Sequence, residues 1–284
     1  MFMSLLLCQK KINPKVFLLG LSIVIILFSP KILNGVDPNK LLKAGSRNVV
    51  SAIAINQVLL YYAISYAQKK TIFFLPALIN MIFCLLCIGR SGIIVSLLIF
   101  AGVFCYCFIN YSRMQKGLVI LIFIFLLLIF KDRIKNLIST MAFVENFNKR
   151  GLVSGGRDTI AAEYYRIINE NPWDLLFGVR NIKSNNVFRI WRGNLHNSFF
   201  TLHTYYSLFG VMIVALLSVV GIFSSYAKHN FFIPWLLICV YIRVSKDIMA
   251  FPGFIDPVIF FCIFLSFSNC INKKNSITFG SIKI

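Results

Sequence analysis

The feature that most constrains this chain is the recurrence of nearly uninterrupted apolar runs, such as "VFLLGLSIVIILF" and "GVMIVALLSVVGIF", along almost its whole length. An α-helix rises about 1.5 Å per residue and the hydrocarbon core of a bilayer is about 30 Å thick. A run near 20 residues therefore spans it with every backbone group bonded internally. A chain of 284 residues, 58% of them hydrophobic, cannot fold such runs into an ordinary soluble core. A transmembrane barrel would read instead as ten-residue strands of alternating polarity. The expected fold is all-α: a polytopic membrane helix bundle, one integral membrane domain over residues 1–284.

Eight spans are expected, near 16–32, 48–67, 72–89, 91–109, 115–130, 197–225, 231–248 and 254–269. The fifth is short. The seventh requires Arg243, Lys246 and Asp247 to lie near an interface or in a wet cavity, because charge is costly in hydrocarbon. The first follows "CQKKINPK" and has no small-residue cleavage site after it, so it reads as a retained helix rather than a signal peptide.

Charge orients the bundle. With the N-terminus in the cytoplasm, the inner segments carry eleven basic residues and no Asp or Glu, and all nine acids fall on the other side. Both termini are then cytoplasmic, and residues 131–196 form a large outer loop between the fifth and sixth spans. A net charge of +20 would suggest nucleic acid in a soluble protein, but here much of it serves topology and lipid head groups. No nucleic-acid partner is expected. The loop holds eleven Lys/Arg against six Asp/Glu, a surface that attracts anions at the membrane face. None of the eight cysteines lies in it, which agrees with an oxidising exterior. "CLLC" at 84–87 has redox spacing but sits within an apolar helix, where small buried thiols are the plain reading.

The loop is too rich in aromatics to be a disordered tether (Tyr164, Tyr165, Trp173, Phe177, Phe188, Trp191), and it should fold against the bilayer. Within it "SGGRDTIAAEYYRIINENPW" carries helix punctuation. Ser154 is placed to cap, Asp158 lies in the first turn, and Asn171-Pro172 ends the run. Ile160, Ala161, Tyr164, Ile167 and Ile168 make one apolar face, and Glu163 and Arg166 are spaced to pair on the other.

Three stretches are candidate sites. At the start of this helix two glycines, unpaired amides and the fork of Arg157 suit a phosphate or diphosphate; the plain alternative is a capped helix with a solvated arginine. In "CIGRSGIIVSLL" Arg90 is the one charge between two spans, at the outer interface, where it binds phosphate or simply snorkels to head groups. In "GNLHNSFFTLHTYYSLFG" His196 marks the junction of loop and span, and a histidine can exchange protons near neutral pH. Its alternative is a helix capped by Asn197 with the ring facing head groups. His203 lies two turns deeper on the same face. No third ligand stands close enough for metal, and neither metal nor cofactor is expected.

Taken in order, "GRSGIIVSLLIF", "SGGRDTIAAEYYRIINENPWDLLFGV" and "HNSFFTLHTYYSLFGVMI" resemble the O-antigen ligase and O-antigen polymerase superfamily of bacterial polysaccharide assembly, over roughly residues 70–215. Fewer spans precede the matching region here than members usually have. The resemblance implies metal-independent glycosyl transfer from an undecaprenyl-diphosphate-linked oligosaccharide on the periplasmic face of the bacterial inner membrane. It gives Arg90 and Arg157 the diphosphate, and His196 the incoming sugar hydroxyl. Asp158 and Glu163 are alternative bases, and Arg180, Arg189 and Arg192 are secondary phosphate or sugar contacts. Partners would include membrane lipids, a chain-length regulator and a flippase. A polymerase that joins repeat units is the favoured reading. A ligase moving the glycan to lipid A core needs the same chemistry, and a lipid-linked sugar transporter is the alternative of another class. Transporters tend to carry ionisable residues in their spans, whereas here polar residues gather in one loop.

Overall fold

The computed structural model describes residues 12–42, 47–112, 116–117, 156–227 and 230–278. Among them all regular structure is helical: α1 (Lys15–Leu33), α2 (Arg47–Ala67), α3 (Leu75–Leu86), α4 (Arg90–Asn110), α5 (Arg157–Glu170), α6 (Pro172–Phe177), α7 (Asn186–Ile190), α8 (Ser198–Tyr226), α9 (Phe232–Val244) and α10 (Asp256–Thr278), with a 3₁₀ turn at Pro38–Lys40. Four are long and apolar enough to cross a membrane: α1, α2 from Asn48, α4 and α8.

The third and seventh expected spans are shorter than their apolar runs. α3 has 12 residues and α9 has 13, roughly 20 Å of helix each. Pro76 occupies the first turn of α3, and Ile88, with φ 58°, stops continuation beyond Cys87. α9 ends at Val244, just before the turn in which Asp247 meets Arg243. The eighth expected span, 254–269, lies in α10 from Asp256 onward, and the fifth, 115–130, lies outside the described residues apart from 116–117.

The chain divides into two compact units. One comprises Leu19–Val58 and Thr71–Val153. Here α4 lies close on α2, since a Cβ on Gly92 would stand 2.6 Å from Ser51 Oγ. In lipid, helices adhere by such close contact of small residues, because the apolar surroundings give no hydrophobic drive. The second glycine of "GRSG", Gly92, thus has a packing role. Phe74 meets Phe104 edge-on at 5.9 Å, and the "CLLC" cysteines, Cys84 and Cys87, are buried free thiols.

The other unit comprises Met1–Leu18, Leu59–Lys70 and Ser154–Ile284. Within it α8, α9 and α10 pack on one another. A Cβ on Gly221 of α8 would reach Ser266 of α10 at 3.3 Å, and the Ser218 and Tyr241 hydroxyls join α8 to α9. α8 breaks at Ser207, whose φ of 64° and ψ of −179° are not helical.

Residues 156–196 build a small core that Phe200 of α8 joins, stacked on Tyr164. Ile160, Tyr164, Val179, Phe188 and Leu195 are buried together, with Ile167, Ile168 and Trp191 against them. The apolar face expected of α5 is therefore the face it buries. Arg166 pairs with Glu163 at 2.8 Å and Glu170 at 2.5 Å on the exposed side. α5 ends at Glu170, and Asn171 caps α6 by accepting from the Trp173 amide at 3.1 Å. The start of α5 differs from expectation. Its N-cap is Gly156, in the left-handed region at φ 91° with no side-chain cap; Ser154, expected to cap it, lies outside the described residues.

Candidate functional site

Gly156 was expected to let a ligand approach the backbone at the start of α5, but that space is filled. A Cβ there would overlap the Trp191 indole, so glycine is required by both the φ and the ring. Trp191 in turn stands edge-on to His196, with ring centroids 5.5 Å apart. The turn leading to His196 is strained. Arg192 (φ 54°), Gly193 (φ 73°) and His196 (φ 51°) are all left-handed, a conformation costing non-glycine residues on the order of 1–3 kcal/mol each. Asn194 holds the turn by accepting from the His196 amide at 2.8 Å, and Asn197 caps α8 by accepting from the Phe199 amide at 2.8 Å.

Arg157, the first residue of α5, and His196, one residue before the α8 cap, converge on Asp247. Arg157 donates to Asp247 Oδ1 at 3.1 Å, and His196 Nδ1 lies 4.0 Å from the same oxygen. Arg243, on the last turn of α9, donates to Oδ2 at 2.9 Å. The Arg243 side chain is 0% exposed and that of Asp247 12%, whereas Arg157 and His196 retain 29% and 23%. One end of the cluster is therefore sealed and the other open.

Ser198 locks the carboxylate's backbone to the start of α8. Its hydroxyl donates to the Asp247 carbonyl at 2.7 Å and accepts from the amides of Met249 at 2.9 Å and Ala250 at 3.1 Å. The arrangement has a direct chemical capacity. A carboxylate facing Nδ1 of a histidine favours the tautomer that leaves Nε2 to accept a proton, and the partly exposed Arg157 is a fixed cation that can meet an anion.

Asp247, Arg243 and Ser198 were not foreseen as site residues. Arg243 and Asp247 stood in the sequence only as an awkward charge in an apolar span. Charges four apart in such a place are themselves the signal, since intramembrane ionisable groups pair with one another.

The remaining candidates are placed differently. Glu163 is taken up by Arg166 and by Asn185 Nδ2 at 2.6 Å; these hydrogen bonds hold its carboxyl at about 2, too low for an effective base near neutral pH. Asp158 is exposed in the first turn of α5. Arg189 and Arg192 are exposed, as is Arg180, whose guanidinium lies 5.8 Å from the Phe177 ring centre. Arg90 opens α4 in the other compact unit.

His203 has a structural task. Its Nε2 donates to the Leu175 carbonyl at 2.7 Å, so its Nδ1 accepts from the Tyr164 hydroxyl at 2.7 Å. Burial pushes that hydroxyl up to about 12 and keeps the donor proton on it. The network ties α5, α6 and α8 together, and Gly178 (φ 85°) closes it, since a Cβ there would strike the backbone of His203 and Thr204. Among the described residues no cluster of three metal-ligating side chains occurs.

No family model, curated protein or solved structure matches the chain.

Proposed function

We propose that the protein is a membrane glycosyltransferase of the O-antigen polymerase kind, joining undecaprenyl-diphosphate-linked repeat units on the periplasmic face of the bacterial inner membrane. The observation that supports this most is the meeting of Arg157 and His196, the two residues the family resemblance singles out, at the carboxylate of Asp247. In the proposed topology eight helices cross the membrane, both termini are cytoplasmic, and residues 131–196 form the outer loop.

In the reaction the bond from the anomeric carbon to the diphosphate oxygen breaks as an acceptor hydroxyl oxygen forms the new bond to that carbon. Negative charge grows on the departing diphosphate, and Arg157, already held by Asp247, meets it without reorganisation. The hydroxyl proton passes to His196 Nε2, and Asp247 stabilises the imidazolium through Nδ1. Arg180, Arg189 and Arg192 are further contacts for phosphate or sugar. Neither metal nor nucleotide takes part.

The test is glycan analysis of strains in which the chain carries Arg157→Ala or His196→Ala. A core bearing a single repeat is the result expected of a polymerase. Free lipid-linked polymer with bare core would reassign the enzyme as a ligase. Unchanged polymerised surface glycan would remove both residues from the site, and reporter fusions placing 131–196 in the cytoplasm would overturn the topology.

A further inference from the structure

α6 presents an apolar face that stays exposed among the described residues. Trp173, Leu176 and Phe177 share one side of the helix; Trp173 is 68% exposed and Phe177 50%, and their rings stack at 5.8 Å. By contrast Tyr164 and Phe188, from the same segment, are buried in its core. α6 is fixed in depth along α8, because the Leu175 carbonyl receives His203 and Gly178 rests on the backbone of His203 and Thr204.

α8 has 29 residues, more than hydrocarbon alone requires, and it breaks at Ser207. The part from Ser207 to Tyr226 is about 30 Å long at 1.5 Å per residue, the thickness of the hydrocarbon core. The turn that carries α6 lies immediately before that break, at the depth of the interface. Tyr205 and Tyr206, both exposed, stand beside that turn in sequence, and Phe209, Met212 and Leu216 are exposed beyond the break. Arg180 lies over the Phe177 ring, so a cation stands at the edge of the aromatic face. Aromatic rings at one level with adjacent cations are the composition of a bilayer interface.

We infer that α6 is an interfacial anchor: Trp173, Leu176 and Phe177 insert into the boundary between acyl chains and head groups, with Arg180 at lipid phosphate. The occupant of the face is the bilayer surface itself. The assignment requires only that α8 crosses the membrane, and stands apart from any catalytic role. One consequence is that α6, bonded to α8 and contiguous with α5, fixes the height of Arg157 above the hydrocarbon.

The full-length protein is reconstituted into phosphatidylcholine–phosphatidylglycerol vesicles, and Trp173 fluorescence is taken as the difference between wild type and Trp173→Phe, which leaves Trp191 and Trp235 untouched. The expected difference spectrum is blue-shifted from that of tryptophan in water. It loses most of its intensity when the phosphatidylcholine is brominated high on the acyl chain, and is shielded from iodide. A water-like spectrum quenched by iodide would overturn the inference. So would a Trp173 signal shielded from iodide yet indifferent to brominated lipid, which would mean that protein covers the face.

Discussion

Replacing Asp247 by asparagine keeps the shape of the side chain and removes the charge that Arg157, Arg243 and His196 surround. Arg243 is 0% exposed, so the loss of its carboxylate is not made good by water. Breaking a buried pair from one side costs about 3–5 kcal/mol. The Arg157 arm, 29% exposed, adds little because solvent screens it, so the lower end, about 3 kcal/mol, is expected. At about 2 °C per kcal/mol for a chain of this size, Tm should fall by roughly 6 °C. Cys84, Cys87, Cys107, Cys239 and Cys262 are buried, so a thiol-reactive fluorophore reports unfolding above the background of exposed thiols such as Cys105. The decisive measurement is a double-mutant cycle with Arg243→Met. With both charges gone, Asp247→Asn/Arg243→Met should be more stable than the two single losses summed, by more than about 1 kcal/mol. Additive losses within about 0.5 kcal/mol, or an Asp247→Asn protein as stable as wild type, would refute the reading of these residues as one buried unit.

Other perturbations test the supports of the site. Gly178→Ala should lower Tm, since the methyl meets the His203–Thr204 backbone and φ 85° is unfavourable to alanine; a cost of at least about 1–3 kcal/mol is expected from the strain alone. Tyr164→Phe removes the donor to His203 Nδ1 and should cost about 1–3 kcal/mol in thermal unfolding. The Glu163 carboxyl is held at about 2 against an ordinary 4.5. Its stabilising effect is complete above about 4.5 and is lost as pH falls toward 2, so the wild-type advantage over Glu163→Gln should shrink in that window in a pH series of unfolding curves.

What the sequence alone determined here is local or set by the solvent. Helices long enough to cross a membrane follow from composition, because hydrocarbon accepts only backbone that bonds within its own segment. The apolar face of α5, its stop at Asn171-Pro172, the Glu163–Arg166 pair and the Asn197 cap all depend on residues within four positions of one another. Tertiary structure decided the rest. Asp247 lies 90 residues from Arg157, and Tyr164 lies 39 from His203, separations that no periodicity encodes. Seen singly, Arg243 and Asp247 are a cost to an apolar span; packing turns them into partners and brings His196 alongside. The glycine before Arg157 looked like room for a ligand, yet it is room for Trp191. Glycine marks where a side chain cannot fit, and only the folded chain names the neighbour that excludes it.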